Sequence, residues 1–327
     1  MKLCVDLIYL NSTGGRNLVE VLTKNFNTEV NNLTFLVDER LNINLNNNFQ
    51  IIYLKGNEFS RNKHYMANNY DTIYCFGNVP PLVPKKAKVY CYLHNILYFM
   101  NTAGLGFNFK TRIKFKIKSI YIQMLLGEKT TILVQTKHFK NILKAKFKKN
   151  EFKLKPFFKE KGKYSYCENK QKTISFFYPS MGSPHKNHLR LLKAWEDGGN
   201  KLKNITLTLT VNEKSLSNYI NKLNLKGFKI VNNGLIYGSE LEEKYNNSTH
   251  VIYPSLAESF GLVLIESIQR NKIILCSDLD YSREIIKPDF TFDPFKTDSI
   301  LNEILNSLNC KQSKGKIITK NFINQLT

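Results

Sequence analysis

Short apolar runs recur along this chain in two series, each run passing through a loop into a helix-like pattern. The first series holds LCVDLIYL (3–10), NLTFLVD (32–38), FQIIYL (49–54), DTIYCFG (71–77), KVYCYLHN (88–95) and TTILVQT (130–136). The second holds TISFFYPS (173–180), NITLTLTV (204–211), FKIVNNG (228–234), HVIYPS (250–255) and NKIILCSD (271–278), with helical patterns at 17–26, 188–196, 215–223, 240–248 and 297–308. Runs this apolar require cover on both faces, and strands separated by helices pair in parallel. The expected fold class is therefore α/β, with two Rossmann-like doubly wound parallel-sheet domains. The 327 residues and 42% hydrophobic content allow both. The boundaries expected are 1–150 for the first domain, 151–172 for a Lys-rich linker without periodicity and 173–315 for the second. A terminal segment, 316–327, is expected to pack back on the first domain. No internal repeat or heptad is evident.

Within the second series, VIYPSLAESFGLVLIESIQR (251–270) carries the most chemistry. An apolar strand meets a Pro-Ser break, then Glu258, Ser259, Phe260 and Gly261, then an apolar helix with Glu266 one turn in. One carboxylate falls on a loop at a strand end and the second on the following helix. Between them lies a helix N-terminus whose backbone N–H groups suit phosphate oxygens. Spacing alone is uninformative, because Glu160 and Glu168 are also eight apart in KEKGKYSYCE with no strand or turn around them.

In this setting the stretch resembles the nucleotide-sugar site of retaining glycosyltransferase family 4, whose fold, GT-B, sets two Rossmann-like domains about a central cleft. The resemblance covers 173–286 well. It covers the first half loosely, through strand order, Gly14-Gly15, His94 and VQTKHFKNIL. It implies that Glu258 contacts the donor sugar and Glu266 the ribose, with Phe260, Gly261 and Leu262 offering backbone N–H groups beside Ser259. Lys186, in YPSMGSPHKNHLRLL, would face the donor diphosphate. The family's Arg, five residues earlier, is Met181 here. Either His185 or another residue supplies the second positive group, or diphosphate binding is weaker. Gly14 and Gly15 would pass close to the donor, Leu235 would lie near the base, and His94 would meet the reacting sugar; a buried structural histidine is the competing reading. The GxG at Gly104–Gly106 follows no strand and carries no weight.

Charge separates the function classes. The chain carries a net +22. Residues 110–161 hold sixteen Lys or Arg against three Glu, so this window is strongly basic. Such a field attracts nucleic acid or an anionic membrane surface. In FNFKTRIKFKIKSIYIQMLL (107–126), Arg112, Lys114, Lys116 and Lys118 alternate with Ile113, Phe115 and Ile117. Strict alternation argues for a strand. The resemblance expects a basic helix interleaved with apolar residues, suited to anionic head groups. No apolar run reaches the roughly eighteen residues of a membrane span, and the N-terminal run is expected to be a buried strand rather than a signal peptide. The six cysteines are scattered without metal-ligand spacing, so a zinc-free, cytosolic protein is expected. By resemblance the activity is transfer from a UDP- or GDP-sugar to a lipid-linked saccharide in bacterial surface-glycan synthesis (O-antigen, capsule or lipopolysaccharide). It would be metal-independent and retaining, on the cytoplasmic face of the inner membrane. The competing classes are a basic nucleic-acid-binding protein, for which no motif is present, and a GT-B-fold sugar-nucleotide binder without turnover.

Overall fold

In the computed structural model, which describes residues 1–10, 19, 22, 32–41, 50–82, 86–159 and 173–322, the two series of apolar runs form two separate parallel sheets. The first contains β1 (Leu3–Leu7), β2 (Leu33–Asp38), β3 (Gln50–Leu54), β4 (Thr72–Cys75), β5 (Lys88–Tyr92), β6 (Thr131–Val134) and β7 (Phe152–Leu154), in the order β3-β2-β1-β4-β5-β6-β7. Along the second half run β8 (Ser175–Tyr178), β9 (Thr206–Leu209), β10 (Lys229–Asn232), β11 (His250–Tyr253), β12 (Ile273–Ser277), β13 (Ile286–Lys287), β14 (Phe290–Phe292) and β15 (Lys316–Ile317). The second sheet is ordered β10-β9-β8-β11-β12-β14, and β13 pairs antiparallel with β15.

Both orders reverse once. The chain builds outward from β1 to β3 before returning to β4, and outward from β8 to β10 before returning to β11. The loops leaving β1 and β4, and those leaving β8 and β11, therefore diverge at the strand C-terminal ends and leave a crevice for ligands. Central strands are buried throughout: all five residues of β1 and all four of β11. Val5, Leu7, Phe35, Val37, Phe76 and Tyr92 form the first core; Phe177, Tyr245 and Val251 anchor part of the second.

The helices are α1 (Glu58–Ala67), α2 (Phe109–Leu125), α3 (Lys137–Lys144), α4 (His188–Asp197), α5 (Lys214–Leu225), α6 (Gly238–Asn246), α7 (Leu262–Gln269), α8 (Asp280–Ile285) and α9 (Thr297–Ser307). The alternating basic segment is thus helical, despite its strand-like pattern. Asn108 caps it, its side chain accepting from the Thr111 N–H at 2.9 Å.

Among the described residues, 1–101, 108–159 and 320–322 form one compact unit, and 102–107 with 173–319 form the other. Three details differ from the boundaries read from sequence. Phe152–Leu154, placed in the linker, extends the first sheet as β7 beside β6. Residues 102–107, placed in the first domain, group with the second unit. In the terminal segment, β15 pairs within the second unit, while the Phe322 N–H donates to Pro156 O at 2.8 Å in the first. Gly14, Gly15, Glu160, Glu168 and, apart from Val19 and Leu22, the helical pattern at 17–26 lie outside the described residues.

Candidate functional site

The crevice of the second sheet brings together His185, Lys186 and Glu258 from the predicted set. The loop leaving β8 carries His185 and Lys186; the loop leaving β11 carries Ser255 and Glu258. Because β8 and β11 are parallel neighbours, pairing Phe176 with His250 and Phe177 with Val251, both loops emerge at the same edge. They are tied directly, the Leu256 N–H donating to His185 O at 2.8 Å. Tyr178 OH donates to Lys186 O at 2.8 Å, and Asn187, at φ 63°, is pinned by its side-chain amide on Pro294 O at 2.8 Å.

Here Lys186 Nζ lies 2.5 Å from Glu258 Oε1, an ion pair between groups 72 residues apart in sequence. The same oxygen accepts from Ser255 Oγ at 2.5 Å and Tyr253 OH at 2.8 Å. The pair is only partly sealed, with 19% of the lysine and 13% of the glutamate side chain exposed. Burial pushes the Glu258 carboxyl upward, but Lys186 and the hydrogen bonds outweigh it and hold the group below its ordinary value. Gly261 sits at φ 90° as the N-cap of α7, a left-handed conformation that a side chain would strain. Leu262, in the first turn of α7, is exposed, whereas Phe260 is buried. Glu266 Oε2 accepts from the buried Tyr245 OH at 3.1 Å, and Ser259 lies partly exposed next to Glu258.

His185 carries no positive charge beside Lys186 near pH 7 in this structure. Burial, then the neighbouring Lys186, lowers its pKa to about 4, so the ring is neutral near pH 7. The ring packs against Phe107 at 5.6 Å, and its Nδ1 lies 3.0 Å from Ser183 Oγ. Met181, where the resemblance expects an Arg, is 55% exposed, and Leu235 is exposed too. Sequence reading missed Tyr253 and Ser255, which look like ordinary strand-end residues. It also gave no weight to Gly104–Phe107. Yet Gly106 lies so close that a Cβ there would meet Pro184 Cβ at 3.2 Å.

In the first unit, His94 stacks on Tyr92 at 4.5 Å, with Nε2 buried and without a hydrogen-bond partner among the described residues. Burial lowers its pKa to about 4, so it is a neutral imidazole that can exchange hydrogen bonds rather than carry charge. The basic helix α2 buries Ser119 and Ile122. Phe109, Ile113, Ile117, Ile120 and Met124 are exposed. At 100° per residue these five share one stripe, flanked by Lys110 and Lys114 on one side and Arg112 and Lys116 on the other. Lys118 faces away from that stripe, its Nζ 5.3 Å from the centre of the Tyr9 ring and 5.5 Å from that of Tyr121. Among the described residues no helix is long and apolar enough to cross a membrane, and no three His, Cys, Asp or Glu side chains converge as a metal site would need.

The fold is that of GT-B proteins, with two Rossmann-like parallel-sheet domains. Residues 161–322 match the family described as glycosyl transferases group 1. A relative, the O-antigen chain mannosyltransferase RfbU of Salmonella typhimurium, is 24% identical over 177 residues. That match covers 52% of this chain and 49% of RfbU, so the chain spans about half the length of the curated relative it matches. Similar solved structures include sucrose-phosphate synthase from Thermosynechococcus elongatus, at a TM-score of 0.73 and 12% identity, covering 95% of this chain and 90% of that one. WaaG, a glycosyltransferase involved in lipopolysaccharide biosynthesis, superposes at a TM-score of 0.70 and 12% identity over 94% of this chain and 90% of its own. At these identities the structural likeness speaks to fold.

Proposed function

We propose that this protein transfers a sugar from a UDP- or GDP-sugar to a lipid-linked saccharide acceptor during synthesis of a bacterial surface glycan such as O-antigen, capsule or lipopolysaccharide. We read it as a member of retaining glycosyltransferase family 4. The observation that carries this reading is the convergence of Lys186 and Glu258 at the β8–β11 crevice, beside the α7 N-terminus. Donor phosphates would meet Lys186 and the first N–H groups of α7; the sugar would meet Glu258 and the ribose Glu266, with the base near Leu235. Gly14 and Gly15 would approach the donor, and His94 would orient a sugar hydroxyl.

In the transfer, the bond between the anomeric carbon and the diphosphate oxygen breaks. A bond to the acceptor hydroxyl oxygen forms on the same face, and the hydroxyl proton passes to the departing phosphate. Lys186 offsets the charge that builds on the leaving group. Front-face attack of this kind requires no protein nucleophile and no covalent intermediate. No metal is assigned a role.

The apolar stripe on α2, bordered by Lys110, Arg112, Lys114 and Lys116, supports docking on the anionic cytoplasmic face of the inner membrane. It also favours a bilayer over nucleic acid, because four of its five exposed members are aliphatic or Met rather than stacking rings. Thermal unfolding against a panel of GDP-mannose, UDP-glucose, UDP-N-acetylglucosamine and the bare diphosphates tests the donor site. A concentration-dependent rise in Tm with at least one sugar nucleotide is expected. No rise with any probe removes the reading.

A further inference from the structure

Glu258 is held by two kinds of partner, and they differ in what happens when a donor arrives. Lys186 is a mobile point charge at the end of a flexible stem, and a diphosphate carries more negative charge than one carboxylate. If Lys186 serves the diphosphate, it must loosen its grip on Glu258 Oε1. A largely buried carboxylate that lost its only partner would be left poorly solvated and free to rotate.

Two neutral donors remain on that oxygen. Tyr253 OH, 2.8 Å from Oε1, also lies 3.3 Å from Lys186 Nζ, so it lies beside both charged groups. Its ring is buried, T-shaped against Tyr178 at 5.6 Å, and its hydroxyl stays protonated because burial and then Glu258 raise its pKa well above the usual value. Ser255 Oγ lies 2.5 Å from Oε1, and its own backbone is fixed by Tyr281 OH donating to Ser255 O at 3.0 Å. All three donors converge on Oε1. Oε2 has no hydrogen bond among the described residues.

We propose that Tyr253 and Ser255 are positioning residues that hold Glu258 Oε1 in place when Lys186 turns to the diphosphate, leaving Oε2 as the oxygen that accepts from a donor-sugar hydroxyl. This rests on the donor-site reading above. It assigns a division of labour within the carboxylate: one oxygen anchored by the fold, one presented to the sugar. Two neutral donors serve better than a second cation, because a cation would compete with Lys186 for the phosphates.

The test compares Tyr253→Phe, Ser255→Ala and the hydroxyl-retaining Ser255→Thr with the unaltered protein. Affinities are measured for the sugar nucleotide that gives the largest thermal shift and for its bare diphosphate, with the pH dependence of kcat/KM alongside. Tyr253→Phe and Ser255→Ala are each expected to weaken sugar-nucleotide binding roughly five- to tenfold, the scale of one hydrogen bond to a charged group. Bare-diphosphate affinity should stay within about twofold. The acid limb of kcat/KM should move up by roughly half to one pH unit, and Ser255→Thr should recover most of the loss. Equal losses for both ligands, or an unmoved acid limb, would overturn the proposal. Those results would leave the donor site standing. If the unaltered protein binds no sugar nucleotide and no diphosphate, the donor site itself is wrong and the proposal goes with it.

Discussion

The two sheets solve the same topological problem in opposite ways. At the crevice between β1 and β4, Asp6 accepts from Arg61 Nε at 2.7 Å and from Tyr65 OH at 2.6 Å. Arg61 then donates to Val79 O at 2.8 Å, Pro80 O at 3.2 Å and Glu58 at 3.3 Å. Both charged side chains are fully enclosed. At the crevice between β8 and β11, the same cast of carboxylate, cation and tyrosine hydroxyl is present, but the cation is a lysine and the pair is partly open. Arginine's planar fork is satisfied by fixed carbonyls and works as a plug. Lysine's single ammonium can leave its carboxylate for a ligand. Enclosure and the choice of cation together separate a structural pin from the proposed binding site.

That contrast can be broken at either end. The largest effect is expected from Arg61→Met, which leaves Asp6 buried without its cation. A loss of about 3–5 kcal/mol in unfolding free energy is expected by chemical denaturation. A loss below about 1 kcal/mol would mean that the plug is not structural. In the second unit, Lys186→Met should destabilise less than Arg61→Met, because its pair is only partly enclosed, while weakening bare-diphosphate binding roughly tenfold or more. It should also alter the pH profile. Glu258 has a depressed pKa, so its ionised form, and whatever depends on it, is present above the ordinary value near 4.5 and lost as pH falls through the lower native value. Without Lys186, burial is opposed mainly by the neutral donors Ser255 and Tyr253, and the acid limb of kcat/KM should move up. An unchanged limb would dissolve the pairing assigned here. The smallest effect belongs to α2: each of Lys110, Lys114 and Lys116 changed to Gln should weaken binding to vesicles of anionic phospholipid about fivefold at low salt. Lys118→Gln should do markedly less, because that ammonium lies over the Tyr9 and Tyr121 rings. Equal losses from all four would mean that the charge acts as a diffuse field rather than through one helix face.

How much was legible follows from how far apart the partners lie in the chain. Central strands such as β1 and β11 announced themselves, because a strand covered on both faces must be apolar at nearly every position. β7 escaped notice because a three-residue edge strand needs no such run; its residues are all only partly buried. Helix α1 was not marked at all, since its buried face is Arg61, His64 and Tyr65 rather than Leu or Val. In α2, basic residues at every second position imitated a strand until the helical wheel separated the apolar stripe from Lys118. His185 was a candidate cation by residue type alone, and burial made it neutral.

By itself the sequence determined the α/β class, two domains, and a strand–loop–helix carrying Glu258, Gly261 and Glu266, all of which are local patterns of apolarity and turn chemistry. Only the tertiary structure decided that Lys186 pairs with Glu258, that Tyr253 and Ser255 share the same oxygen, and that Arg61 is sealed. Those facts depend on which strands become neighbours and how much water remains between their loops. Neither is written in the spacing of residues along the chain, because a hydrogen bond spanning 72 positions leaves no local trace.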